Sequence, residues 1–361
     1  MTISLPMTFS NKREPEVVVK GSVAIERLLR RCTGAAVILA LVNFAPRAQA
    51  QMEHATLALP ADGMHFLALY AAQDFHFLEQ QGLDVKVVFI AGIGSFNAVV
   101  SGAVDFSVGS GASLARAAAR GQRMLAIANM SSRPTWAVAV RKELVDAAHF
   151  DAKAPLAVRA QVLKGLKMGV GGINTVAHAY LKVIAKAGGV DPDNGMVVAA
   201  MQPPDIIAAM SRKAIDGFVD GPPWPQKTDS DGTTVIIAEG IAGDPDWLAP
   251  IGSGVIITRP QTCAERRSLC VKMGRAVAMG ARFIHEHSLE ALESLKKRFP
   301  QVDGVALARS LAIVQKATPD PPIVEEAAIV NGDRVNVEAG MLKREEMLKS
   351  YDGLFTDEFV R

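Results

Sequence analysis

From residue 56 onward, short β-rich runs alternate with helical patterns, and the alternation breaks once before starting again. Strands alternating with helices build α/β folds with largely parallel sheets. The first series places strands at 56–59, 85–90, 104–108, 124–128 and 136–140. A loose segment without strong periodicity follows at 141–163. A second series then places strands at 167–170, 196–200, 215–219 and 235–238. After one more strand, 254–258, the pattern becomes almost wholly helical over 260–286, 289–299, 305–317 and 335–350. The order predicts two α/β lobes, each a mixed sheet flanked by helices, with a helical C-terminal region. Residues 55–140 plus 250–361 form the first lobe and 150–245 the second. The hinge falls near 141–149 and 246–253.

Composition narrows the function classes. The chain has 361 residues, 49% hydrophobic and 21% charged, enough apolar content for a sizeable core. Only 6% is aromatic, which does not suit a stacking platform for nucleic acid. The formal charge of +2 comes from the first fifty residues, where Lys12, Arg13, Lys20, Arg27, Arg30, Arg31 and Arg47 outnumber three glutamates. The remainder is slightly acidic and carries no basic footprint for DNA or RNA.

That basic leader has the layout of an export signal. Arg27, Arg30 and Arg31 precede an apolar run from Cys32 to Phe44, and Ala48-Gln49-Ala50 follows. A basic region, a short apolar stretch and an Ala-x-Ala site predict cleavage after Ala50 and a periplasmic mature chain. The alternative, a membrane anchor, needs roughly 20 apolar residues.

Four loops after expected strands are built from small residues: Gly92-Ile93-Gly94-Ser95, Ser110-Gly111-Ala112-Ser113, Gly172-Ile173-Asn174-Thr175, and Asp220-Gly221-Pro222-Pro223-Trp224. In open α/β sheets ligands bind outside the carboxyl ends of strands. Helix N-termini there offer backbone N–H groups. Each loop alone reads equally as helix capping by Ser95, Ser113 or Thr175. Four of them, two in each lobe, point to a cleft. Trp224 follows two prolines, so its ring sits on a stiff loop, either against a ligand or wedged into the hinge.

Reactive chemistry has no comparable pattern. The glycines at 92 and 94 lack the third glycine of a dinucleotide fingerprint, since Asn97 stands there. His285 and His287 point about 200° apart on a helix and cannot share an ion. No metal ligand set, catalytic residue or cofactor is expected. Cys263 and Cys270, on one helix, would be about 10.5 Å apart in rise, beyond disulfide reach; a bridge requires Cys263 to precede the helix.

Several segments, in order, resemble the solute-binding proteins of ABC importers of the nitrate/sulfonate/taurine and thiamine-precursor type. They are LEQQGLDVKVVF (78–89), SGAVDFSVGS (101–110), LKGLKMGVGG (163–172), GGVDPDNGMVV (188–198) and IIAAMSRKAIDGFV (206–219). The resemblance covers roughly 55–300. It implies a type II periplasmic binding fold whose two lobes close on a small polar or anionic organic solute, a sulfonate, a nitrate-like ion or a pyrimidine or aromatic. Gly94, Ser95, Ser110, Gly111, Ser113, Asn174, Thr175, Asp220 and Trp224 are carried over as cleft residues. His65 is placed where thiamine-precursor binders carry a cleft histidine, or else starts a helix. The implied partner is an inner-membrane permease, with the binding protein a monomer. His76 and Lys213 stand where the family usually has glycine. The competing readings are an enzyme on the same fold and a ligand sensor for a membrane receptor.

Overall fold

The computed structural model describes residues 52–361. The expected leader, its cleavage site and Cys32 lie outside them.

Among the described residues, ten strands form two five-stranded sheets. The first contains β1 (Glu53–Leu59), β2 (Leu83–Phe89), β3 (Phe106–Gly109), β4 (Leu125–Asn129) and β10 (Val255–Thr258), in the order β2-β1-β3-β10-β4. The second contains β5 (Ala137–Arg141), β6 (Lys167–Val170), β7 (Val197–Ala200), β8 (Gly217–Asp220) and β9 (Thr234–Glu239), in the order β7-β6-β8-β5-β9. Both follow one plan. A β-α-β series runs parallel, and one antiparallel strand is inserted beside its third member: β10 against β3 and β4, β5 against β8 and β9. The inserted strands are the two along which the chain changes lobe. Their sequences, VIIT and AVAVR, are almost wholly buried, as a strand covered on both faces requires.

This topology corrects the expected lobe boundary. The sequence pattern puts residues 136–140 in the first lobe, yet β5 is the fourth strand of the second sheet. The crossings lie between Asn129 and Ala137 and between Glu239 and Val255. The expected hinge at 141–149 therefore falls inside the second lobe, where Lys142–Ala147 is helical; 246–253 lies on the return crossing. An all-apolar strand fits the middle of either sheet, so its sequence does not say which one it joins.

Helices cover the sheets. In chain order the ones used below are α1 (Leu67–Asp74), α2 (Gly94–Ser101), α3 (Gly111–Ala119), α4 (Val176–Ala187), α5 (Trp224–Ser230), α6 (Pro260–Glu265), α7 (Arg267–Glu286), α8 (Ser288–Arg298), α9 (Gly304–Ala317) and α10 (Glu326–Glu338). The continuous helix expected over 260–286 is broken at Arg266, whose backbone (φ −126°, ψ 56°) leaves the helical region. That break puts Cys263 on α6, ahead of the long helix, and brings its Cα to 5.6 Å from that of Cys270 in a disulfide. The helix expected at 335–350 instead occupies Glu326–Glu338 and ends before Gly340, which takes the left-handed conformation (φ 69°). The chain beyond it returns to the first sheet, where Phe355 bridges Ala126 and covers the β4 edge.

Candidate functional site

The C-terminal ends of β3 and β8 face one another across a cavity of about 100 Å³. Its walls come from both lobes: the loop after β1, the starts of α2 and α3, the loop after β6, the start of α4, and Asp220 at the end of β8. The lobes meet backbone to backbone at its rim. Gly92 (φ 57°) and Gly172 approach so closely that a Cβ on Gly172 would stand 3.1 Å from the Gly92 Cα. No larger residue fits that contact without opening it.

Six of the ten expected cleft residues line this cavity: His65, Ser95, Ser110, Ser113, Thr175 and Asp220. The other four do not. Gly94 lies behind the wall, its N–H bonded to Ala91 O. Gly111 is turned toward the C-terminal segment, donating to Gly252 O and packing on Ile329. Asn174 (φ 62°) lies in an adjoining recess of about 300 Å³ with Arg116 and Arg120. Trp224 is 2% exposed; its ring packs edge-on against Phe299 and its Nε1 donates to Asp62 O at 3.2 Å. Of its two readings the structure realises the wedge: it joins the second lobe to the first.

The hydroxyls on the wall are committed to the protein. Ser110 and Ser113 form a reciprocal cap at the start of α3, with their oxygens 2.7 Å apart. Thr175 caps α4 by accepting from His178 N and donates to Gly172 O. Ser95 donates to Gly92 O, and Ser253 to Ser131 O. Capping and cavity lining are thus one arrangement, because the residues that end a strand and start a helix are also those that reach the cleft.

Two wall residues carry buried polar atoms without a partner, His65 at Nδ1 and Asp220 at Oδ2. The His65 ring lies against the backbone of the opposite lobe: a Cβ on Gly221 would be 2.9 Å from Nδ1. Burial pushes its pKa down to about 4, so it is neutral at pH 7. Asp220 accepts one bond, from Gly221 N–H at 2.7 Å. Burial pushes its carboxyl up to about 7; the Gly221 bond holds it down and the negative charge of Asp62 adds to the rise. No Lys or Arg lines the cavity among the described residues. Arg133, on the crossing ahead of β5, is exposed and off the wall.

The buried cation of the adjoining recess does other work. Arg116 on α3 is buried and donates to three neutral acceptors: Asn336 Oδ1 on α10 at 2.8 Å, Met341 Sδ, and Asn174 O in the opposite lobe at 2.7 Å. Burial, with Arg120 nearby, lowers its pKa. It ties first lobe, C-terminal helix and second lobe together directly beside the cavity.

Sequence reasoning missed the apolar wall: Phe66, Phe96, Val108, Trp136 and Val176. These residues read as core, and nothing in their spacing separates cavity from core. Ser253 was also missed, although its place just ahead of β10 repeats the small-residue signal of the four loops.

Comparisons with known proteins agree with this architecture. A curated relative, the nitrate/nitrite binding protein NrtA of Nostoc, is 36% identical over 61 residues, which cover 17% of this chain and only 14% of that protein. Among solved structures, the alkanesulfonate-binding protein SsuA from Xanthomonas axonopodis superposes with a TM-score of 0.65 at 14% identity, covering 84% of this chain and 98% of that one. The periplasmic nitrate-binding protein NrtA from Synechocystis gives 0.62 at 16%, covering 84% of each. The desulfurization enzyme DszB gives 0.56 at 14%, covering 85% and 97%. At such identities these structures establish the fold, a type II periplasmic binding fold with two mixed sheets. The family model for NMT1/THI5-like proteins matches residues 64–291, well over half of the sequence, and the chain belongs to that family.

Proposed function

We propose that this protein is the extracytoplasmic solute-binding component of an ABC importer, closing its two lobes on a small molecule and performing no chemistry on it. The observation that carries this reading is the cavity itself. It is formed only where the strand ends of both lobes meet, so its walls separate when the lobes do. The crossings at 130–136 and 240–254 are the hinge, and Gly92, Gly172 and the Arg116–Asn174 bond form the closed seam. His65, Ser95, Ser110, Ser113, Thr175 and Asp220 are the ligand-facing residues. Closure follows from the solute's greater affinity for the closed state, in which both lobes contact it. A membrane permease would receive that closed form from a monomeric binding protein.

The relatives named for nitrate and alkanesulfonate binding support the transport role. The Cys263–Cys270 disulfide fits an oxidising compartment, and so does the leader with its Ala48-Gln49-Ala50 site. A covalent catalyst on this fold would need an activated nucleophile. The wall hydroxyls are bonded to backbone and to one another, not to His65. Purified protein incubated with candidate solutes and followed by NMR distinguishes the two. A binder shifts its melting temperature and returns every solute unchanged; conversion of a bound solute would end this reading.

A further inference from the structure

We infer that the solute is a compact, mostly apolar nitrogen compound that presents an N–H donor to Asp220, neutral or cationic, and is not an anion. This rests on the binding-protein reading and names the chemistry its cavity selects. Asp220 is 9% exposed, lies on the wall, and keeps Oδ2 without a hydrogen bond. A buried acceptor left unpaired costs roughly 1–3 kcal/mol, which a donating ligand removes. The residues that face Asp220 make an anion unwelcome. Gly221 N–H occupies Oδ1, Asp62 adds negative charge, and His65 is neutral. A sulfonate or nitrate here would be desolvated beside a carboxyl group with no cation to balance it.

Arg116 and Arg120 lie in the adjoining recess and not on this wall, and Arg116 is already engaged by three acceptors. The wall hydroxyls donate into the protein, which leaves the Asp220 carboxyl group and the Nδ1 of neutral His65 as the open polar atoms on the wall. The surrounding Phe66, Phe96, Trp136 and Val176 supply a dry lining for a flat or short apolar body.

The test is calorimetric titration of the folded, oxidised chain with two sets of probes. One set is 2-aminopyridine, benzamidine and acetamidine; the other is nitrate, methanesulfonate and taurine. The inference expects saturable binding of at least one nitrogen donor, none of the anions, and at least a tenfold loss for Asp220→Asn, whose amide turns an acceptor into a donor. Where that variant fails to fold, Asp220→Ser takes its place. Binding of an anion, silence of all three donors, or unchanged donor affinity in the folded variant overturns the assignment. Anion binding without turnover would leave the binding-protein reading standing, whereas chemical conversion of a probe would strike that reading instead.

Discussion

The two lobes share one sheet plan and differ at the residue that closes the third strand of each. In the first lobe the third strand, β3, ends in Gly109 and passes through the Ser110 cap into α3. In the second lobe the equivalent strand, β8, ends in Asp220 and passes through Gly221-Pro222-Pro223 into α5. One strand end is neutral and capped; the other carries a buried carboxyl group with a free oxygen. In the proposed binding protein the same topology therefore places a capped serine pair on one wall and a carboxyl group able to recognise the solute on the other.

The asymmetry extends to how the lobes are joined, and the largest predicted effect lies there. Trp224, directly after the β8 turn, is buried against Phe299 of α8's C-terminal turn; the first lobe's β3 leads to no such wedge. Trp224→Ala should cost about 3–5 kcal/mol of stability, the range for large buried aromatics, read from urea denaturation. A loss below about 1 kcal/mol would mean that the ring is not a structural anchor.

The acidic strand end should also make stability depend on pH. Asp220, near 7 folded and about 4 unfolded, holds its proton more tightly in the folded chain. The stability that proton contributes is complete below about pH 4 and is lost as pH rises through about 7. His65 runs the other way: near 4 folded and about 6.5 unfolded, its contribution is complete above about pH 6.5 and lost as pH falls toward 4. The two offset one another in the parent protein. Asp220→Asn removes only the first, so the melting temperature of the ligand-free variant should gain on the parent by several degrees between pH 5 and pH 8. A difference that stays constant with pH would show that the carboxyl group is not buried as described.

Arg116 is the link between the two walls, and its loss should weaken closure without touching the recognising group. Arg116→Met keeps much of the side chain's length but removes its bonds to Asn174 O and Asn336 Oδ1. The expected result is a severalfold weaker affinity, carried mainly by faster ligand release in stopped-flow measurements. An unchanged release rate would place the link outside the closing motion. The smallest effect belongs to the paired caps. Ser110→Ala and Thr175→Ala should each cost about 1 kcal/mol, measured by thermal melts. Similar values for the two would confirm that the lobes differ in recognition and not in the way their helices start.

Much of this plan was legible because it rests on periodicity. The strand and helix alternation gave both series, and the loops after the strands gave Ser95, Ser110, Ser113, Thr175 and Asp220 on the cavity wall, while His65 came only from the family resemblance. Asp220 was legible only as the first residue of the fourth loop and through the family resemblance. The boundary between lobes was not legible, because residues 137–140 are apolar throughout and suit either sheet. The prolines before Trp224 predicted a stiff loop, whereas Trp224 opens α5, and they gave no sign of which way its ring would turn. The aromatic wall of Phe66, Phe96 and Trp136 was invisible for a related reason: a side chain packed beside a cavity needs the same apolar character as one in the core. Only the seam between the lobes decides which it is, and that seam is a long-range property of the fold.

Distance across the cleft tests the central claim most directly. Spin labels at Lys86→Cys on β2 and Val197→Cys on β7, both exposed positions on opposite lobes, report opening and closing by double electron–electron resonance. With a solute that shifts the melting temperature, the account predicts one narrow distance matching the closed arrangement, and a second, longer population when that solute is removed. Identical distributions with and without the solute would contradict a protein that works by closing its lobes around what it binds.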